Sequence, residues 1–215
     1  MNEEKIKWLL EGDVSIRYQA HRDLLNSVQI NLQRRISQEG WGKQLMSLRN
    51  VNGYWGKGFY QPKWTSTHYT LLELRYLEIS PDIKEIKQSL ALLVKNEKGQ
   101  DGGINPSGTI DKSDLCINRM FLNYASYFKI PEKELESVID FIIANVMPNG
   151  GFNCHSNRKG ARHSSLYTTL SIAEGINEFV NNNIITERKN CLKPKKAVEN
   201  LFLCTNFSNP IKQIR

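Results

Sequence analysis

Residues 141–152 read FIIANVMPNGGF: the apolar end of a helix, a polar breaker, a glycine pair and an aromatic residue. The same shape (glycine, one residue, then a large apolar one) recurs as Gly102-Gly103-Ile104 and as Gly53-Tyr54-Trp55. The leading glycines lie 49 and 48 residues apart, and a polar residue precedes each: Asn52, Asp101 or Asn149. A polar residue followed by glycine is the chemistry of a tight turn at positive φ, where a Cβ would crowd the backbone. A period of this length marks a chain that uses one supersecondary unit several times.

Between the turns the pattern reads as pairs of helices. THYTLLELRYLEI, residues 67–79, places apolar residues at 71, 72, 74 and 77, a helical spacing, and Ser80-Pro81 closes it. A second helix over 82–96 carries Ile83, Ile86, Leu90, Leu93 and Val94. The next unit repeats this with helices over 114–128 and 132–146, and a third helix begins at Ser164 or Ser165 and runs to Phe179. Ahead of the first turn, 3–11, 14–25 and 30–48 also read as helices. The expected fold is all-α: about four helical hairpins in one domain, 1–215, with the clearest repeats at 40–180. An irregular tail with a weak helix near 195–204 fills 181–215. A lone hairpin cannot bury its apolar faces, so neighbours must stack into a curved array or ring.

Glycine turns at this spacing resemble the repeats of squalene cyclases and protein prenyltransferase β subunits, the α/α-toroid superfamily of terpenoid enzymes. The cyclase repeat runs aromatic-aliphatic, three residues, Gln, three residues, Gly-x-Trp. Phe141-Ile142, Val146 and Gly150-x-Phe152 follow that spacing with Val for Gln; the middle copy has Lys98 and Ile104, and the first has Arg49 and Trp55. In that superfamily six hairpins close into a two-layer barrel around an apolar cavity. About four would leave an open crescent, a trimmed ring, or one part of a homo-oligomer or of a complex with a partner subunit.

The resemblance implies candidate site residues at the starts of the helices that follow each turn. Asp114-x-Cys116 is similar to the Asp-x-Cys pair that supplies two zinc ligands in the prenyltransferases, where zinc keeps a substrate thiol deprotonated. The family's histidine ligand falls at Tyr167 here, so the expected set is Asp114 and Cys116 with Cys154 and His163. The other reading of the pair is a buried small residue and an N-terminal helix charge. Catalytic candidates are Asp114, Tyr167 and His68. Trp55, Trp64, Tyr69 and Phe152 would line a cavity for an isoprenoid or other apolar ligand, with Arg158 and Arg162 neutralising a diphosphate. Core packing and solvated loop charge account for the same residues equally well. Ser66, Ser113 and Ser164 read as helix N-caps.

Composition narrows the classes. Apolar residues make up 40% and charged residues 24% of the 215, which suits a globular protein. No apolar run reaches the ~20 residues of a membrane span. MNEEKIKWLLEGD lacks the pattern of a signal peptide, and four scattered cysteines without a C-x-x-C pair suit a reducing compartment, so the cytoplasm is expected. The net charge of +7 is dispersed, which disfavours nucleic acid as the partner. The familiar cyclase acid cluster Asp-x-Asp-Asp is missing, as are a nucleophile elbow, a Walker loop and a dinucleotide fingerprint. The functional expectation is a toroid-like protein that holds an isoprenoid or other apolar molecule in a central cavity; prenyl transfer or cyclisation, with zinc as cofactor, is what the resemblance would add. The alternative is a non-catalytic helical-repeat scaffold for a partner protein.

Overall fold

The computed structural model describes residues 3–106, 110–155 and 160–182. These residues form α1 (Glu3–Leu10), α2 (Val14–Leu24), α3 (Ile30–Arg35), α4 (Gly40–Ser47), α5 (Thr67–Tyr76), α6 (Lys84–Asn96), α7 (Leu115–Tyr127), α8 (Glu132–Ala144) and α9 (Leu166–Asn182). No strand occurs among the described residues; extended pairing is limited to an isolated bridge between Lys98 and Ile104. None of the described helices is long and apolar enough to cross a membrane. The tail helix expected near 195–204 lies outside the described residues.

Packing divides the chain into two compact units, the division falling within α6 between Leu92 and Leu93. In the first, α2 is the hub, touching α1, α3 and α4, while α4 also meets α5. Its core is built on Tyr18, Ile36, Trp55, Leu71, Leu74 and Leu90, all buried. In the second, α7 packs chiefly along α9 and also meets α8. Phe121, Leu122, Tyr124, Val138, Phe152 and Ile172 are buried there. The α7–α9 contact is close because position 175 is glycine: a Cβ there would come within 2.7 Å of the Arg119 carbonyl oxygen.

The single helix expected over 30–48 is two, α3 and α4. Gly40 breaks it at φ +62, and a Cβ at that position would lie 2.0 Å from Asp13 Oδ2. The Asp13 carboxylate accepts the Ser15 N–H at 2.9 Å, capping α2, and the Trp41 N–H at 3.0 Å in the first turn of α4. Burial raises the pKa of this carboxyl, but the hydrogen bonds from Ser15 and Trp41 outweigh it and hold the group below its ordinary value.

The three glycine turns are alike in backbone. Gly53, Gly102 and Gly150 have φ of +90, +85 and +82. Each donates its N–H to the carbonyl three residues earlier: Gly53 to Asn50 at 3.0 Å, Gly102 to Gly99 at 3.1 Å and Gly150 to Met147 at 2.8 Å. That same earlier residue donates its own N–H to the carbonyl just after the glycine, with Asn50 bonded to Tyr54, Gly99 to Gly103 and Met147 to Gly151. The apolar residue that follows, Trp55, Ile104 or Phe152, is buried in every case. Its backbone is held by a side chain on the next helix. Trp55 N–H donates to Thr67 Oγ1 at 2.9 Å, Ile104 N–H to Asn118 Oδ1 at 2.6 Å, and Phe152 N–H to Thr169 Oγ1 at 2.9 Å. The same three side chains reach the carbonyls of Trp55, Ile104 and Phe152. Buried backbone groups in an irregular segment must find partners, and here one polar side chain serves two of them.

Capping differs from expectation at Ser113. The N-cap of α7 is Asp114, whose carboxylate accepts the Cys116 N–H at 2.7 Å. The Ser113 hydroxyl instead donates to Asp101 Oδ1 at 2.6 Å, tying the turn to the helix start. Ser164 is likewise engaged with a turn residue, accepting from Asn149 Nδ2 at 2.8 Å. Ser66 is the N-cap of α5 without a capping side-chain bond.

Candidate functional site

The first glycine turn leads into the segment 55–66, which carries Trp55, Phe59, Tyr60 and Trp64. α5 then supplies His68 and Tyr69 in its first turn. Beside this segment lies an open cleft of about 360 Å³ whose lining includes Leu45, Leu48, Asn50, Trp55, Trp64, Thr70 and Glu73. Its size falls at the lower end of small-molecule sites, and two indoles with two leucines give it an apolar lining.

The two tryptophans play different parts. Trp55 is buried, its Nε1–H donates to the Leu45 carbonyl at 2.7 Å, and its indole forms part of the wall. Trp64 is 70% exposed. Its backbone sits at φ +76, a conformation costly for a bulky residue, and its ring stands 4.9 Å from that of Tyr69. The Lys63 ammonium lies 5.0 Å over the same indole. Tyr69 is braced in turn by Tyr60, with hydroxyl oxygens 3.0 Å apart and rings 5.5 Å apart. Trp55 and Trp64 thus line one cleft and Tyr69 supports it.

His68 is fully buried, boxed by Phe59 (5.4 Å, edge-on), Tyr60 (5.5 Å) and Tyr69 (5.1 Å, edge-on). It is not among the residues lining the cleft. Its imidazole organises the aromatic cluster behind Trp64.

The remaining candidates lie in the second unit. Asp114 caps α7, and the Cys154 side chain lies beside that of Cys116. Both cysteines are free thiols. Burial first, then the Asp114 charge and the contact with Cys154, push the Cys116 thiol up to about 12. His163 is exposed, and its backbone carbonyl accepts from Asn153 Nδ2 at 2.8 Å. The described residues contain no group of three or more His, Cys, Asp or Glu side chains arranged to hold a metal ion. Of the expected zinc donors, Asp114 and Cys154 lie near enough to Cys116 to raise its thiol pKa. Tyr167 is 75% exposed at the start of α9, with the Arg119 guanidinium 5.9 Å over its ring. Phe152 is a core residue, Arg162 is exposed, and Arg158 lies outside the described residues.

Sequence reading missed Glu73, Thr70, Leu45 and Leu48 as cleft residues. The available signal was the helix register: Thr70 and Glu73 are one turn apart on α5 and so share a face. The leucines belong to α4 and its C-cap, and their place beside Trp64 is not encoded in local spacing.

No protein-family model matches this chain, and no curated protein or solved structure matches it significantly.

Proposed function

We propose that this chain is a helical-hairpin repeat protein of the α/α-toroid kind that binds an isoprenoid or other apolar small molecule, and that its site is the cleft between Trp55 and Trp64. The repeat part of the reading is supported by three turns with one backbone conformation and one hydrogen-bonding scheme. The binding part is carried by a single observation: Trp64 presents most of its indole to solvent at a cleft, on a backbone held at φ +76. A large exposed aromatic residue loses hydrophobic stabilisation, and left-handed backbone costs more; strain of this kind concentrates at ligand clamps. Bracing by Tyr69 keeps the ring in place before any ligand arrives, which lowers the ordering cost of binding.

Binding is the activity proposed. Prenyl transfer or cyclisation is the chemistry that the terpenoid-enzyme resemblance would add. Among the described residues the cleft contributes one carboxylate, Glu73, and the hydroxyls of Thr65 and Thr70.

Isothermal titration with geraniol, a short prenyl alcohol, tests the reading. The expected result is saturable binding that weakens about tenfold in Trp64→Ala, the loss of one aromatic wall. Absence of binding to the wild-type protein, or equal affinity in Trp64→Ala, overturns it.

A further inference from the structure

The polar groups of the cleft are unevenly spent. The Asn50 amide donates to the Gly56 carbonyl at 2.9 Å, the Trp55 indole N–H donates to Leu45, and the Thr70 hydroxyl donates to the Ser66 carbonyl at 3.0 Å. Among the described residues Glu73 is the only charged one of the lining, and it is exposed. Its carboxylate takes part in no ion pair or side-chain hydrogen bond among the described residues. A ligand entering here therefore meets acceptors, a negative charge and aromatic faces. An anionic head group would face Glu73, and of the two cations beside the tryptophans Arg49, 5.9 Å over the Trp55 ring, already donates to Ser89 Oγ at 2.9 Å.

Aromatic faces beside a carboxylate form the environment that recognises organic cations, because the ring quadrupole and the carboxylate both attract positive charge. We propose that the cleft takes a small molecule with an apolar body and an ammonium head, the head seated against Trp64 and Glu73. This rests on the reading of the cleft as a binding site. Lys63 supplies a precedent within the chain, since its ammonium already lies over the Trp64 ring. It is also the opposing term, because a second positive charge nearby repels the ligand. Lys63 is exposed and forms no ion pair among the described residues, so its flexible stem swings aside at the loss of a surface contact alone.

Three probes with one prenyl body and different heads, geraniol, geranylamine and geranyl diphosphate, are titrated calorimetrically at neutral pH and low salt. Geranylamine is expected to bind about tenfold tighter than geraniol, and geranyl diphosphate the most weakly. Glu73→Gln, an exposed substitution, should erase the preference for the amine over geraniol. Lys63→Ala should widen that preference. Raising the salt concentration should weaken only the amine's advantage. Equal binding of geraniol and geranylamine, or tightest binding of the diphosphate, overturns the ammonium assignment while leaving the cleft as a site. If none of the three binds, the cleft reading itself fails.

Discussion

The Thr67 side chain holds both polar groups of the Trp55 backbone: its hydroxyl oxygen accepts the Trp55 N–H at 2.9 Å and lies 3.2 Å from the Trp55 carbonyl. The same hydroxyl reaches the Gly58 carbonyl at 2.8 Å. One side chain at the start of α5 therefore fixes the turn before it and the segment that leads to Trp64. The cleft depends on this junction, because Trp55 is one wall and Trp64 the other.

Thr67→Val preserves shape and removes the junction. A buried N–H on Trp55 is then left without its acceptor, which costs about 1–3 kcal/mol. Urea unfolding should show a lower midpoint at constant slope, and Thr67→Ser should recover most of the loss. An unchanged midpoint in Thr67→Val would mean that the turn holds without the junction.

The turn glycines differ in what a methyl group would meet. At Gly53 a Cβ would approach the Leu92 Cδ1 atom to 2.6 Å, a side-chain end that can move. At Gly102 it would lie 3.0 Å from the Ser137 carbonyl oxygen, which cannot. Both substitutions to alanine carry the left-handed backbone cost of about 1–2 kcal/mol. Gly102→Ala should therefore lower the thermal midpoint more than Gly53→Ala does. The reverse order would show that Leu92 has no room to shift.

Gly175→Ala sets helix propensity against packing. Alanine gains about 1 kcal/mol in a helix interior. Its methyl would press on the Arg119 carbonyl oxygen at 2.7 Å and force α9 away from α7, at about 1–3 kcal/mol. Net destabilisation is expected in thermal melts, together with faster hydrogen exchange along α7. A more stable Gly175→Ala protein would show that the two helices separate without loss.

The Cys116 thiol should be slow to react. With its pKa pushed up from the ordinary 9.0 to about 12, chiefly by burial, the native protein holds far less thiolate at neutral pH than the unfolded chain. Alkylation by iodoacetamide at Cys116, followed by peptide mass spectrometry, should be slowed accordingly in the native state. The raised value also means that the folded state favours the protonated thiol, so stability falls as pH climbs from about 9 toward 12. Cys116→Ser should flatten that alkaline loss.

The all-α character and the positions of the three turns were legible in the sequence because both are local. Helical apolar spacing needs only one face to be buried, and Gly53, Gly102 and Gly150 adopt positive φ for a reason contained in their own residue type. Helix boundaries were read to within a few residues for α5 to α8. The exception was the stretch over 30–48. It breaks at Gly40 because the Asp13 carboxylate, far earlier in the chain, bonds into the first turn of α4. Three of the residues singled out as aromatic lining, Trp55, Trp64 and Tyr69, do gather in one place, since all belong to the short segment between one turn and one helix.

What the sequence by itself determined is the periodic helix-and-turn chemistry, in which each residue's conformational preference acts over a few neighbours. Only tertiary structure decided that His68 is enclosed by rings, that Cys116 meets Cys154, and that Leu45, Leu48 and Glu73 join Trp64 around a cleft. Those placements depend on which helix packs beside which, and that is fixed by burial and by single long-range hydrogen bonds summed over a whole unit. Local spacing carries no record of either.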